Sequence, residues 1–215
     1  NAVSFLTMNI GGDDGNVFPY VSRDDLVHLD VSRLAQWGIV FSHAQRLGLF
    51  LHFKTQEAEN QGLLDGGETG PQRSLYYREL IARFGHHLAL NWNMGEEIGP
   101  WMGNSHPTPP QRTPQRLAMA EYFHRTDPYR HHVVIHNGTP FDDILGPGAR
   151  YTGVSVQCGW DAAHRQVLSW LRKSAEAGKP WAVANDEQNP ADMGVPPDPG
   201  YRGHSGEGIS NGGRY

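Results

Sequence analysis

The sequence predicts an α/β fold, a partial (β/α)8 barrel (a TIM barrel) in which six strands are present. Two observations carry this prediction. Short apolar strands alternate with amphipathic helices, and long polar loops follow the strands whereas the helix-to-strand turns are tight. Alternation of this kind means βαβ units and a parallel sheet. The asymmetry of the connections belongs to a barrel whose working face is built from the loops after its strands. An open doubly wound sheet would also accept six strands, but it usually carries a phosphate-binding glycine loop after the first one. Here that segment reads NIGGDDGNV, and its Asp13 and Asp14 would repel phosphate.

The opening run AVSFLTMNI reads as the first strand. DVSRLAQWGIVFSHAQRLG follows as a helix, with Leu34, Trp37, Phe41 and Ala44 on one face, Asp30 as N-cap and Gly48 as the stop. The strand LFLHFK comes next, and then RSLYYRELIARFG, which stripes Tyr77, Leu80, Ile81 and Phe84 before Gly85. HHLALNWN is the third strand. TPQRLAMAEYFHRTDP opens with Thr113 as the expected cap and Pro114 at the first helical position, and it leads to HHVVIHN. YTGVSVQ is the fifth strand. DAAHRQVLSWLRKSAEAG, with an expected stripe of Val167, Leu168, Leu171 and Ala175, then leads to the sixth, PWAVAN.

The chain has 215 residues, 38% hydrophobic and 19% charged, which suits one globular domain with a real core. A net charge of −5 supplies no basic field for nucleic acid. No apolar run approaches the roughly 20 residues of a membrane span, so neither nucleic acid nor membrane is an expected partner. A lone cysteine, Cys158, excludes an internal disulfide framework. The chain starts at Asn1 inside a strand-like run and closes on a polar glycine-rich stretch. The expected organisation is therefore an incomplete barrel catalytic domain over residues 1–195 and an irregular tail over 196–215, within a longer protein.

The chemistry concentrates at two strand ends. NWNMGEEIGP places Glu96 and Glu97 after the third strand, and AVANDEQNP places Asp186 and Glu187 after the sixth. One carboxyl group from each site would face the other across the barrel mouth. Two carboxyl groups about 5–5.5 Å apart are what retaining glycoside hydrolysis needs, one as nucleophile and one as acid/base. Strand alternation points Glu187 into the mouth and Asp186 into the wall; between Glu96 and Glu97 it favours Glu97.

On these residues the chain resembles the clan A glycoside hydrolases, (β/α)8 enzymes with the acid/base glutamate after strand four and the nucleophile after strand seven. Their strand-four motif is an aromatic, three residues, then Asn-Glu. WNMGEE matches it with Trp92 and Glu97, but Glu96 stands where asparagine is usual. Their strand-seven motif is Lys-Pro, a hydrophobic run, then Glu; KPWAVANDE matches it, with Glu187 two residues later than in the common form. On that registration strands two to seven of the barrel are present. A closer resemblance, over most of residues 1–195, is to bacterial secreted barrel proteins of uncertain substrate. They share phrases like SFLTMNIGGDDGNVFPY, LHFKTQE, WNMGEE and VANDE. They often carry a β-sandwich before the barrel and a collagen-binding domain after it.

The resemblance implies a secreted, extracellular or periplasmic glycosidase with a carbohydrate substrate, no cofactor, and flanking β-sandwich domains. Glu187 would be the nucleophile. Glu97 would be the acid/base, with a pKa raised by its neighbour Glu96. Glu96 would also take over the sugar contact of the missing asparagine. Asn9, His52, Lys54, Gln56, His136 and Gln157 follow strands and suit sugar hydroxyls, and Trp92, Trp101 or Trp160 could stack on a pyranose. Two rival readings accompany this one: a carbohydrate-binding barrel without catalysis, and a metal-dependent hydrolase drawing on the twelve histidines. The second lacks any HExxH motif, and no metal-ligand set is expected.

Overall fold

The computed structural model describes residues 1–11, 17–100, 109–137, 141–159 and 161–189. Six strands run in chain order as one parallel sheet: β1 (Ala2–Leu6), β2 (Phe50–Lys54), β3 (Leu90–Asn93), β4 (His132–Asn137), β5 (Gly153–Gly159) and β6 (Ala182–Asn189). Four helices, α1 (Val31–Arg46), α2 (Pro71–Phe84), α3 (Thr113–Thr126) and α4 (Ala163–Glu176), connect them, and among the described residues the link from β4 to β5 carries a short 3-10 turn. A doubly wound sheet reverses its strand order partway; this one does not. Sequential parallel order curls the sheet one way. Residues from β1 (Ala2, Ser4) and β6 (Ala182 to Asp186) therefore line one concave cavity of about 450 Å³ together with residues of every strand between them.

The outer face of the sheet carries the core. Phe5, Phe53 and Trp92 alternate outward along β1, β2 and β3, and meet Phe41 of α1, Phe84 of α2 and Phe123 of α3. Ring centroids lie 4.6–5.2 Å apart for the Phe5–Phe53, Phe41–Phe84, Phe53–Trp92 and Trp92–Phe123 pairs. Such pairs add about 0.5–1.5 kcal/mol each beyond area burial. The inner face is mixed: His52, Asn91 and Ser155 line the cavity together with Val134, Val154 and Ala184. A closed barrel fills that space with layers of branched aliphatic side chains; here polar residues from β2, β3 and β5 share it with the aliphatic ones.

Most of the helix faces match the sequence expectation, and Asp30 caps α1 by accepting from Arg33 N at 2.9 Å. Two details differ. Thr113 is already helical: α3 is preceded by Arg112, whose N–H donates to Gln115 Oε1 at 2.8 Å, while the Thr113 hydroxyl bonds Asp143. In α4 the buried residues are Trp170 and Ser174, whereas Leu171 and Ala175 are exposed. Trp170 stacks on Trp181 at 5.9 Å and Ser174 Oγ accepts from Trp181 N, so the residue leading into β6 sets the helix rotation. The expected boundary at residue 195, the tail, Asp13, Asp14, Trp101 and Trp160 lie outside the described residues.

Candidate active site

The site forms where β2 to β6 end. After β3 the backbone turns at Gly95, whose φ of +154° and whose Cβ position, 2.6 Å from Ile98 Cγ2, exclude a side chain. Glu97 itself sits in the left-handed region at φ 54°, a conformation unusual for a glutamate. That pair of turns brings Glu96 and Glu97 both to the mouth. On the opposite side, β6 carries a bulge: Val156 pairs with Asn185 and Gln157 with Glu187, so Asp186 is the extra residue. Bulges re-aim side chains next to functional sites. Here the bulge overturns the expected burial of Asp186 in the wall, because Asp186 lines the cavity and reaches His136 and Lys54.

Gln157 ties the two sides together. Its Nε2 donates to Glu97 Oε1 at 2.7 Å and to Glu187 Oε1 at 2.8 Å. Two oxygens held by one nitrogen at those distances lie no more than about 5.5 Å apart.

Beside this pair lies a charged cluster. Lys54 Nζ is 2.9 Å from Glu96 Oε1 and 3.5 Å from Asp186 Oδ2. His136 is fully buried, with Nδ1 3.2 Å from Asp186 Oδ1 and Nε2 3.4 Å from Glu187 Oε2. Burial alone would raise Glu96, but Lys54 and His136 outweigh it and hold its carboxyl below the usual range. Asp186 is lowered in the same way: burial opposes, while its hydrogen bond and charge interaction with His136, helped by Lys54, prevail. Glu187 goes the other way. Burial, with a hydrogen bond to the Glu96 carboxyl, pushes it up to about 7. The carboxyl that Glu96 raises is thus Glu187, where the sequence reading had Glu97 as its dependent.

The other expected contacts divide. Trp92 is fully buried on the helix side of the sheet, where its Nε1 donates to Asp127 at 3.0 Å; a sugar cannot stack on it. The chain has left β2 by Gln56, whose amide is consumed outside the barrel by Arg73, Gln111 and Met119. Both corrections have one cause: these residues sit on the outer face of the strand or beyond its end. His136 is 0% exposed, so no sugar hydroxyl reaches it. His52 lies one step below Lys54, with Nε2 2.8 Å from Asn93 Nδ2 and 3.3 Å from Ser155 Oγ, and burial lowers its pKa to about 4. Asn9 is buried in the loop after β1 and makes no hydrogen bond to the glutamates among the described residues. Asn93 and Ser155 were missed by the sequence reading. The alternation in LNWN, with polar residues on one face of a buried strand, was the available signal.

Glu96, His136 and Glu187 each offer one ligand atom within 4.8 Å of the others, a spacing that a divalent ion could use. The Lys54 ammonium already lies against Glu96, and Asp186 favours the charged form of His136, so the cation requirement of these carboxylates is met by side chains. The donor set does not fit a resident metal.

No family model and no curated protein matches the chain. Among solved structures it is similar to a Bacteroides vulgatus protein described as a "putative glycoside hydrolase", at 18% identity and a TM-score of 0.61. The match covers 94% of this chain and 40% of that protein, and it shows a shared fold.

Proposed function

We propose that the protein is a retaining glycoside hydrolase acting on an oligosaccharide or polysaccharide. The observation that supports this reading best is the Gln157 bridge, which limits the nearest oxygens of Glu97 and Glu187 to about 5.5 Å. That belongs with the short spacing of double displacement rather than the roughly 6.5–9.5 Å that leaves room for a water in an inverting enzyme. Glu187 attacks the anomeric carbon and displaces the leaving group, which takes a proton from Glu97. Glu97 then removes a proton from the water that hydrolyses the glycosyl-enzyme. The description of the Bacteroides protein as a glycoside hydrolase agrees with this reading.

Glycan panels and aryl glycosides test it. Release of reducing ends that Glu187→Gln abolishes supports the enzyme; binding without turnover would leave a carbohydrate-binding barrel instead. Glu97→Gln is expected to retain the first step on aryl glycosides with good leaving groups, and azide is expected to rescue the second. If Glu96→Gln shows that pattern while Glu97→Gln stays active, the acid/base is Glu96.

A further inference from the structure

A nucleophile must be a carboxylate, yet the surroundings of Glu187 oppose its ionisation. It is largely buried, and the negatively charged Glu96 lies against it. Gln157 donates to it and Lys54 acts on it through charge, but His136 is the cationic side chain in contact with it. The imidazole touches a carboxylate at each end, Asp186 at Nδ1 (3.2 Å) and Glu187 at Nε2 (3.4 Å), and Gln157 Oε1 also lies 3.3 Å from Nε2. We propose that Asp186 and His136 form a charged pair behind Glu187, in which Asp186 holds His136 doubly protonated and the imidazolium beside Glu187 Oε2 favours the ionised form that attacks. This rests on the glycosidase reading, and it makes His136 and Asp186 positioning residues that never touch substrate.

The fold explains why such a pair exists. Strict alternation along β6 would send either Asp186 or Glu187 away from the interior. The bulge at Asp186 lets both reach the same imidazole from opposite sides. The charges that face His136 come from three other elements. Lys54 on β2 and Glu96 after β3 act through charge, and Asp186 and Glu187 on β6 through contact. His52 on β2 is held neutral by burial. With Glu187 ionised, three carboxylates face Lys54, and the imidazolium is the second cation that the cluster needs. Burial works against that charge on His136, but the hydrogen bond and charge of Asp186 outweigh it.

Side-chain nitrogen NMR tests the pair without any substrate. The His136 signals are assigned by their loss in His136→Gln. At pH 7 both His136 nitrogens should carry protons, and Asp186→Asn should lower the His136 midpoint by about one pH unit or more. A neutral His136 at pH 7, or a midpoint unchanged in Asp186→Asn, overturns the proposal. The near-isosteric Asp186→Asn keeps the test open if His136→Gln folds poorly.

On an aryl glycoside that the wild-type protein turns over, His136→Gln should move the acidic limb of kcat/KM upward by about one pH unit. Loss at pH 6 should be about tenfold, with recovery toward the wild-type value at high pH. A merely structural role would depress kcat/KM equally at every pH and would overturn the proposal. If the NMR result holds but no glycoside is turned over, the charged pair stands and the glycosidase reading falls.

Discussion

Glu187 should cost the fold stability at neutral pH, and the size of that cost can be worked from its surroundings. Its carboxyl titrates at about 7 in the folded protein against an ordinary value of 4.5. Below pH 4.5 the group is protonated whether the chain is folded or not, and it contributes nothing. Between pH 4.5 and 7 the unfolded chain releases a proton that the folded one retains, so stability falls as pH rises. Above pH 7 the full penalty is present. Each pH unit of displacement corresponds to about 1.4 kcal/mol, which sets a ceiling of about 3.5 kcal/mol. The side chain is 29% exposed, and solvent screening reduces the figure to about 1–2 kcal/mol. Glu187→Gln keeps the shape and can still donate to Glu96, but never has to ionise. The variant should therefore melt close to the wild-type protein at pH 4.5 and above it at pH 8, by about 2–8 °C at this chain length. Thermal unfolding of both proteins at the two pH values decides the matter. An equal difference at both, or a variant less stable at pH 8, would refute the reasoning.

Lys54→Met removes the cation that the largely buried Glu96 and Asp186 share, and is expected to destabilise by about 3–5 kcal/mol. Both carboxyls are lowered in the folded state, so their contribution is present above about pH 4.5 and lost as pH falls; denaturant titration should show the deficit at pH 7 and its shrinkage at pH 4. Glu96→Asn added to Lys54→Met should recover part of that loss, and strict additivity of the two changes would argue against their coupling. Trp92→Phe leaves Asp127 without its indole donor and should lower stability by about 1–3 kcal/mol while leaving KM unchanged; a raised KM would return Trp92 to the binding surface. Treatment with EDTA should change neither the melt nor the turnover, whereas loss of activity restored by zinc would reinstate a metal centre at Glu96, His136 and Glu187.

All six strands and four helices were legible because each obeys a local rule: a run of alternating or continuous apolar residues, closed by a glycine or a turn. Gly48 and Gly178, both at positive φ, mark the ends of α1 and α4 as the sequence suggested. The curl of the sheet was legible only indirectly, through the lengths of the loops. What failed was rotation. The stripe of α4 was misplaced because periodicity alone does not say which of two overlapping apolar faces packs inward. Trp181, outside the helix, makes that choice by stacking on Trp170. Trp92 failed for the opposite reason. As an aromatic at a strand end it suits a sugar, but its place between Asn91 and Asn93 already put it on the outer face.

The site was legible in its residues and not in its wiring. Glu187, Glu97, Gln157, Lys54 and His136 all stand at strand ends, and chain order alone put them near one another. Their partners depend on two breaks in alternation that leave little trace in the letters: a bulge at Asp186 and a left-handed glutamate after Gly95. Those breaks also bear on Glu96. In the letters it is only a second acid beside Glu97. In three dimensions it belongs to a set, because a carboxylate placed against Glu187 demands a cation, and β2 delivers Lys54 to it at 2.9 Å. Lys54 in turn lies 3.5 Å from Asp186, and Asp186 lies 3.2 Å from His136. The charge at Glu96 is therefore intelligible only together with Lys54, Asp186 and His136, four residues spread over 133 positions of the sequence and joined by ion pairs and hydrogen bonds.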